Sequence, residues 1–227
     1  KQIPAIQLAL ANLGFHEHYS NSLTNDKCAA DFSNNPPVKL SNPISQEMEY
    51  LRTSLIPGLL DAISYNEKRR QKNFKLFEVG AVHKCIPEKD TKSVESFSLD
   101  LVWSFTDNQH WREANKTDFF RIKGELTSIL QLFGCKNIQL SMVDQKGFKI
   151  AFQVNSGKIK LGILGVINTL KLKEYEIEND VFIFEGSIEK IRKSCKSNPV
   201  KISKPNTFPA TSRDIAIQIN NDIPAKK

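Results

Sequence analysis

The sequence predicts an α+β fold in which helices pack on a mostly antiparallel sheet, and three stretches carry that reading. In "FSLDLVWSF" (97–105), Phe97, Leu99, Leu101, Trp103 and Phe105 alternate with Ser98, Asp100, Val102 and Ser104, the period of a strand with one buried face. Apolar residues alternate again from Phe148 to Val154 and from Ile159 to Ile163, on either side of the turn "NSGK", which predicts an antiparallel hairpin. Between these strands Phe119, Ile122, Leu126, Ile129, Leu130 and Phe133 recur at helical spacing. Thr117 or Asp118 supplies the N-cap and Gly134 the stop.

The other elements follow from the same two periods. Ile3, Ile6, Leu10 and Leu13 form one stripe of a helix over 2–13, closed by Gly14. Phe15 to Leu23 is strand-like, "SNNPP" (33–37) breaks it, and Val38 to Leu40 is a second strand ending at Ser41-Asn42-Pro43. Pro57 suits a first helical turn, so a helix runs from Pro57 to Arg70, and Phe74 to Val82 reads as a strand. "VFIFE" (181–185) is a core strand and 188–193 a short helix. Residues 194–210 are polar and rich in Lys and Pro, a connector, and "RDIAIQIN" alternates Ile215, Ile217 and Ile219 as one more strand. A lone strand cannot be a domain. The expected organisation is therefore a core over 1–200, then a connector and the first strand of a truncated second domain over 201–227.

A chain of 227 residues with 40% hydrophobic residues can bury a substantial core. No apolar run approaches the roughly 18 residues that cross a bilayer. The beginning without Met and the abrupt end suggest a piece of something longer. Cys28, Cys85, Cys135 and Cys195 are widely spaced and form no CxxC pair, so the spacing marks neither a zinc site nor a disulfide framework, and a reducing cytoplasm is the simplest home. The net charge of +7 makes a polyanion such as RNA a plausible partner, and a basic surface that only keeps the protein in solution explains it as well.

Several chemistries are unmarked. There is no GxxxxGK loop, GxGxxG fingerprint, HExxH helix or GxSxG elbow. "LGILG" (161–165) is too short for a phosphate loop and fits packing within a strand. His16 and His18 share a strand face without a marked third ligand, so no metal site is expected. Lys68, Arg69, Arg70 and Lys72 sit where cations suit the negative end of a helix, and RNA contact is the alternative.

"NPISQEMEYLRTSLIPGLLDAISYNEKRRQKNFKLFEVGAVH" (42–83) closely resembles the core of the phenylalanyl-tRNA synthetase beta chain family, where Asn-Pro, Leu-Arg-Thr-Ser-Leu, Pro-Gly-Leu-Leu and Phe-Glu-Gly recur in this order. "DFFRIKGELTSILQLFG" (118–134), "LGILGVINTLKLKEYEIENDVFIFE" (161–185) and "FPATSRDIAI" (208–217) are similar to later parts of that family, the last to the start of its ferredoxin-like anticodon-binding domain. The resemblance implies a class II aminoacyl-tRNA synthetase-like antiparallel sheet flanked by helices. It implies a non-catalytic beta-chain core that assembles with the alpha chain as an (alpha-beta)2 heterotetramer and helps to place phenylalanine tRNA, with ATP and magnesium used by the holoenzyme and no cofactor bound by this chain. A domain that still binds ATP or an amino acid by itself, and a stand-alone basic RNA-binding module, are the alternatives.

The resemblance also implies which residues to inspect. Active class II domains carry an arginine and a glutamate after the Gly of the strand ending at "GAVHKCI", and aligning on Gly80 puts Lys84 and Ile86 there. A lysine replaces the guanidinium fork that grips phosphate and carboxylate bidentately. In "EGSIEKI" (185–191) Lys190 takes the place of a second arginine, and Glu185 and Ser187 replace glycines that admit adenine, so the pocket is expected to be closed to ATP. No catalytic residue is assigned. Class II enzymes use their first helix at a subunit interface. In the helix of 2–13 the stripe is expected to face the core and Ala5, Leu8 and Ala9 the alpha chain, an all-core helix being the alternative.

Overall fold

Seven strands form the main sheet of the chain in a computed structural model, which describes residues 3–71, 73–86, 93–105, 108–109, 114–115, 119–195, 212–216 and 218. In chain order the elements are α1 (Ile3–Asn12), β1 (His16–Glu17), β2 (Leu23–Thr24), α2 (Asp26–Ala30), β3 (Val38–Lys39), a 3-10 turn (Gln46–Met48), β4 (Tyr50–Leu51), α3 (Ile56–Glu67), β5 (Phe74–Cys85) and β6 (Ser93–Ser104). They continue with β7 (Asn108–Gln109), β8 (Ala114–Asn115), α4 (Phe119–Leu132), β9 (Ile138–Val143), β10 (Phe148–Ser156), β11 (Ile159–Ile167), α5 (Thr169–Glu174), β12 (Val181–Ser187) and α6 (Ile188–Ser194). The sheet order is β1-β5-β6-β12-β11-β10-β9. Only β1 runs parallel to its neighbour; the other pairs are antiparallel. Contacts divide the chain into Lys1–Ser197 and Asn198–Lys227.

Strand alternation splits the side chains of this sheet between two layers. Leu99, Leu101 and Trp103 point to one face, where they meet Leu10 of α1, Ile122, Leu126, Ile129 and Leu130 of α4, and Ile188 and Ile191 of α6. Val102, one residue out of phase, points to the other face with Leu76 and Ile183, against Leu59, Leu60 and Ile63 of α3. Each such buried aliphatic or aromatic side chain contributes about 1.5–3 kcal/mol of transfer free energy. The α4 stripe buries as its spacing predicts, and the hairpin turns at Gly157, whose φ of +58° suits a residue without Cβ. Gly162 and Gly165 of "LGILG" are packing glycines. A Cβ on either would overlap backbone carbonyl oxygens, of Glu185 and Ile150 respectively.

Other expectations are corrected. The single strand over 15–23 is two short strands in different sheets, because β1 pairs with β5 whereas β2 joins β4 and β3 in a small separate sheet. Leu13 does not face the core: α1 ends at Asn12, Gly14 turns the chain at φ +84°, and Phe15 occupies the core place with its N–H donating to Leu10 O. α3 ends at Glu67, three residues short of expectation, and Arg70 has a φ of 62°. β5 and β6 run longer than alternation alone shows because they pair with each other over their full lengths. α2, β4, α5 and β9 were not expected; β9 is half-exposed at the sheet edge and alternates weakly. The cap at Thr117 or Asp118 lies outside the described residues. In Asn198–Lys227 the described residues 212–216 and 218 carry no strand, in place of the one expected from Ile215 to Ile219, of which 217 and 219 lie outside the described residues. Among the described residues no helix is long and apolar enough to cross a membrane.

Candidate functional site

The "LRTS" stretch before α3 places three polar side chains in the interior, each bonded to a different part of the chain. The Arg52 guanidinium donates from Nη1 to Glu78 Oε1 at 2.6 Å and to Ser20 Oγ at 2.8 Å, and from Nε to Ala81 O at 2.8 Å. Thr53 Oγ1 donates to Ala29 O at 2.6 Å and Ser54 Oγ to Glu185 Oε1 at 2.7 Å. Gly80 makes room for this, since a Cβ on it would overlap the Arg52 guanidinium. A short loop thereby ties β5, β12, α2 and the segment after β1 together.

Register then aligns three carboxylates. Glu78 on β5 is opposite Asp100 on β6, which is opposite Glu185 on β12. Strands about 4.8 Å apart bring such side chains within reach of one another, and like charges directly opposite repel. Glu78 and Asp100 are fully buried. Glu78 has Arg52 and Ser20, and Glu185 has Ser54. Asp100 Oδ1 accepts from Ser98 Oγ at 2.6 Å, whereas its Oδ2 has no hydrogen-bond partner among the described residues. Burial first, then the charge of Glu185, holds the Asp100 carboxyl well above the usual range. Burial likewise raises Glu185, against the hydrogen bond from Ser54 and the charge of Lys84.

Beside this row, on the α3 face of the sheet, lies a polar cavity of about 360 Å³. Lys84 lines it from β5, Ser98 from β6, Glu185 from β12, Gln153 from β10, Lys160 from β11 and Lys190 from α6. Two of the three divergent signature positions, Lys84 and Lys190, thus meet at one cavity although they are far apart in sequence. Ile86 follows β5 and does not line it. Glu185, held by Ser54, forms part of the cavity wall. Its lining includes three lysines and one carboxylate, and no group of three or more metal-ligating side chains is assembled among the described residues.

The residues expected at a subunit interface lie on the opposite face. Ala5 and Ala9 line an apolar groove of about 380 Å³ with Ile6, Leu132 and Phe133, and with Ile191, Arg192 and Cys195 at its α6 side. Leu8 projects beyond the groove and is 64% exposed, and Leu132 of α4 is 63% exposed. The basic cluster is elsewhere. Lys68 pairs with Glu176, and Arg69 lies over the Tyr65 ring at 3.4 Å and donates to Tyr65 O at 2.9 Å. Lys72 lies outside the described residues. His16 is exposed on β1, while His18 follows the strand and donates its backbone N–H to Phe77 O.

Residue patterns alone passed over Arg52, Glu78 and Asp100. An arginine in a serine- and threonine-rich loop resembles a surface residue, and only the Asp within the alternation of 97–105 hinted at a polar floor. Their meeting depends on register, which local periodicity does not contain.

Residues 1–188 match the family model described as the phenylalanyl tRNA synthetase beta chain CLM domain. The chain is 33% identical over 225 residues to the phenylalanine–tRNA ligase beta subunit of Buchnera aphidicola subsp. Schizaphis graminum, covering 95% of this chain and 27% of that protein. It is 31% identical over 194 residues to the beta subunit of Carboxydothermus hydrogenoformans, covering 83% and 24%. The chain thus spans roughly a quarter of these curated relatives. Among solved structures, a pyrrolysyl tRNA synthetase from Desulfitobacterium hafniense matches with a TM-score of 0.64 at 17% identity, over 82% of this chain and 63% of that one. At that identity the likeness establishes the fold, a class II synthetase-like antiparallel sheet flanked by helices.

Proposed function

This chain belongs to the family of the phenylalanyl tRNA synthetase beta chain CLM domain, and on that premise we propose that it is the non-catalytic core of the beta subunit of a phenylalanine–tRNA ligase. It supports assembly with the alpha chain and placement of tRNA while performing no chemistry itself. The observation that carries this reading is the cavity at the signature positions. A lysine at Lys84 offers a point charge where a bidentate fork is needed, Ile86 offers no carboxylate, and Lys190 again replaces an arginine. The donor set does not suit a magnesium nucleotide, because among the described residues Glu185 is the only carboxylate in the lining and it is already held by Ser54. ATP and magnesium are therefore assigned to the holoenzyme. Titration of the chain with ATP and phenylalanine, followed by calorimetry, is expected to give no heat of binding; micromolar affinity for either would overturn the reading.

The α1 side is the surface this reading gives to the alpha chain. A monomer gains nothing by exposing Leu8 and Leu132 around an apolar groove, whereas a partner helix gains their burial. Leu8→Glu is expected to leave the folded chain's stability within about 0.5 kcal/mol, as exposed positions do, and to abolish co-purification with the alpha chain. An unaffected complex would refute the assignment. The (alpha-beta)2 stoichiometry, the cytoplasmic location, and the start of an anticodon-binding domain over 201–227 belong to the same reading. Lys68 already has Glu176 as an ion-pair partner and Arg69 stacks on Tyr65, so the two carry structural roles that need no RNA.

A further inference from the structure

Two cysteines far apart in sequence meet where α4 and α6 end. α4 closes with Gly134 at φ +94°, a left-handed stop that lets the Cys135 N–H return to Leu130 O at 2.9 Å and turns Cys135 under the sheet-facing side of the helix. α6 closes at Ser194, and the Cys195 N–H donates to Ile191 O at 3.0 Å. Cys195 packs directly beside this turn, since a Cβ on Gly134 would lie in ordinary contact with the Cys195 Cβ at 3.7 Å. The two Sγ atoms are 3.9 Å apart, and Cys135 is 1% exposed while Cys195 is half-buried on the wall of the apolar groove.

We propose that Cys135 and Cys195 are an oxidisable dithiol that closes to a disulfide tying the end of α6 to the end of α4. Both caps bring the sulfurs together without the bond, so only side-chain rotation and a small backbone adjustment separate the reduced pair from bonding distance. The order of events follows from access. With a glutathione disulfide as oxidant, the Cys195 thiolate, the accessible one, attacks one glutathione sulfur and releases glutathione thiolate, leaving a mixed disulfide. Cys135 then loses its proton and attacks the Cys195 sulfur, releasing the second glutathione. Two protein thiols are oxidised, one glutathione disulfide is reduced to two thiols, and the two thiol protons pass to the glutathione products. Burial, and then the neighbouring Cys135, push the Cys195 thiol up to about 11. Little of Cys195 is thiolate at neutral pH, so its attack is slow and the pair responds to sustained rather than brief oxidation.

The test is a peptide map under non-reducing conditions after the 227-residue chain is incubated with excess oxidised glutathione. The expected result is one linked peptide pair joining Cys135 to Cys195, loss of two thiols from the four, no retained glutathione, and full reversal by a thiol reductant. Cys135→Ser is expected to stop at a glutathione adduct on Cys195. A wild-type chain that keeps the Cys195 adduct to the same extent as that variant would overturn the proposal. So would a Cys195 that links to Cys28 or Cys85, or that stays free while Cys85 is modified. The wild-type map decides the matter without the variant.

Discussion

Arg52→Ala is expected to lower the unfolding free energy by about 3–5 kcal/mol, the cost of stranding a buried charge whose partner is removed. Glu78 would keep its place in the sheet with only the Ser20 hydroxyl and N–H to satisfy it, and the Ala81 carbonyl would lose its donor. With domain stabilities of about 5–15 kcal/mol in total, most of the margin would disappear. Urea unfolding measures it directly. Arg52→Met combined with Glu78→Leu removes both charges and should recover much of the loss, because a buried ion pair replaced by apolar groups of similar volume is often neutral. A single variant within about 1 kcal/mol of wild type, or a double variant no better than the single, would show that the pair is not the element holding the loop to the sheet.

The second large effect has the opposite sign. Asp100→Asn is expected to raise stability by about 2–3 kcal/mol near neutral pH, because it removes a buried acidic group that has one oxygen unsatisfied and lies across the strand from Glu185. The sign with pH follows from linkage. The folded Asp100 binds its proton more tightly than the unfolded chain does, at an ordinary value of 3.8. Its favourable contribution is therefore fully present below the unfolded value and is lost as pH rises through the raised folded value. Glu185, also raised, adds a decline of the same sign. Wild type should accordingly lose stability to the alkaline side of the ordinary carboxylate range, and the variant should lose less of it. Urea midpoints compared at about pH 5 and about pH 8 would expose the difference, and parallel declines in the two proteins would assign the slope to other groups.

Both effects concern residues whose importance the sequence conceals. The stripe of α4 and the alternation of 97–105 are readable because each is a local period that one buried face imposes. Resemblance brought Lys84 and Lys190 forward, and they do line one cavity, whereas Ile86 does not and the cluster at Lys68 and Arg69 lies apart from it. The four cysteines, read by spacing alone, look unrelated, yet two of them are 60 positions apart and 3.9 Å from each other. Leu13 shows the limit even of a good period: it has the spacing of a core residue but follows the end of α1, and Phe15 takes the core place instead.

By itself the sequence determined that this protein is a sheet covered by helices, where most of the long elements lie, and which family motifs it carries. Those are properties of neighbouring residues and of their periods. Tertiary structure alone decided that Arg52, Ser54, Glu78, Asp100 and Glu185 share one buried floor, Ser54 and Glu185 being 131 positions apart. Strand register is set by the fit of whole faces, and a slip of one residue in any of these strands would send its member of the row to the other side of the sheet.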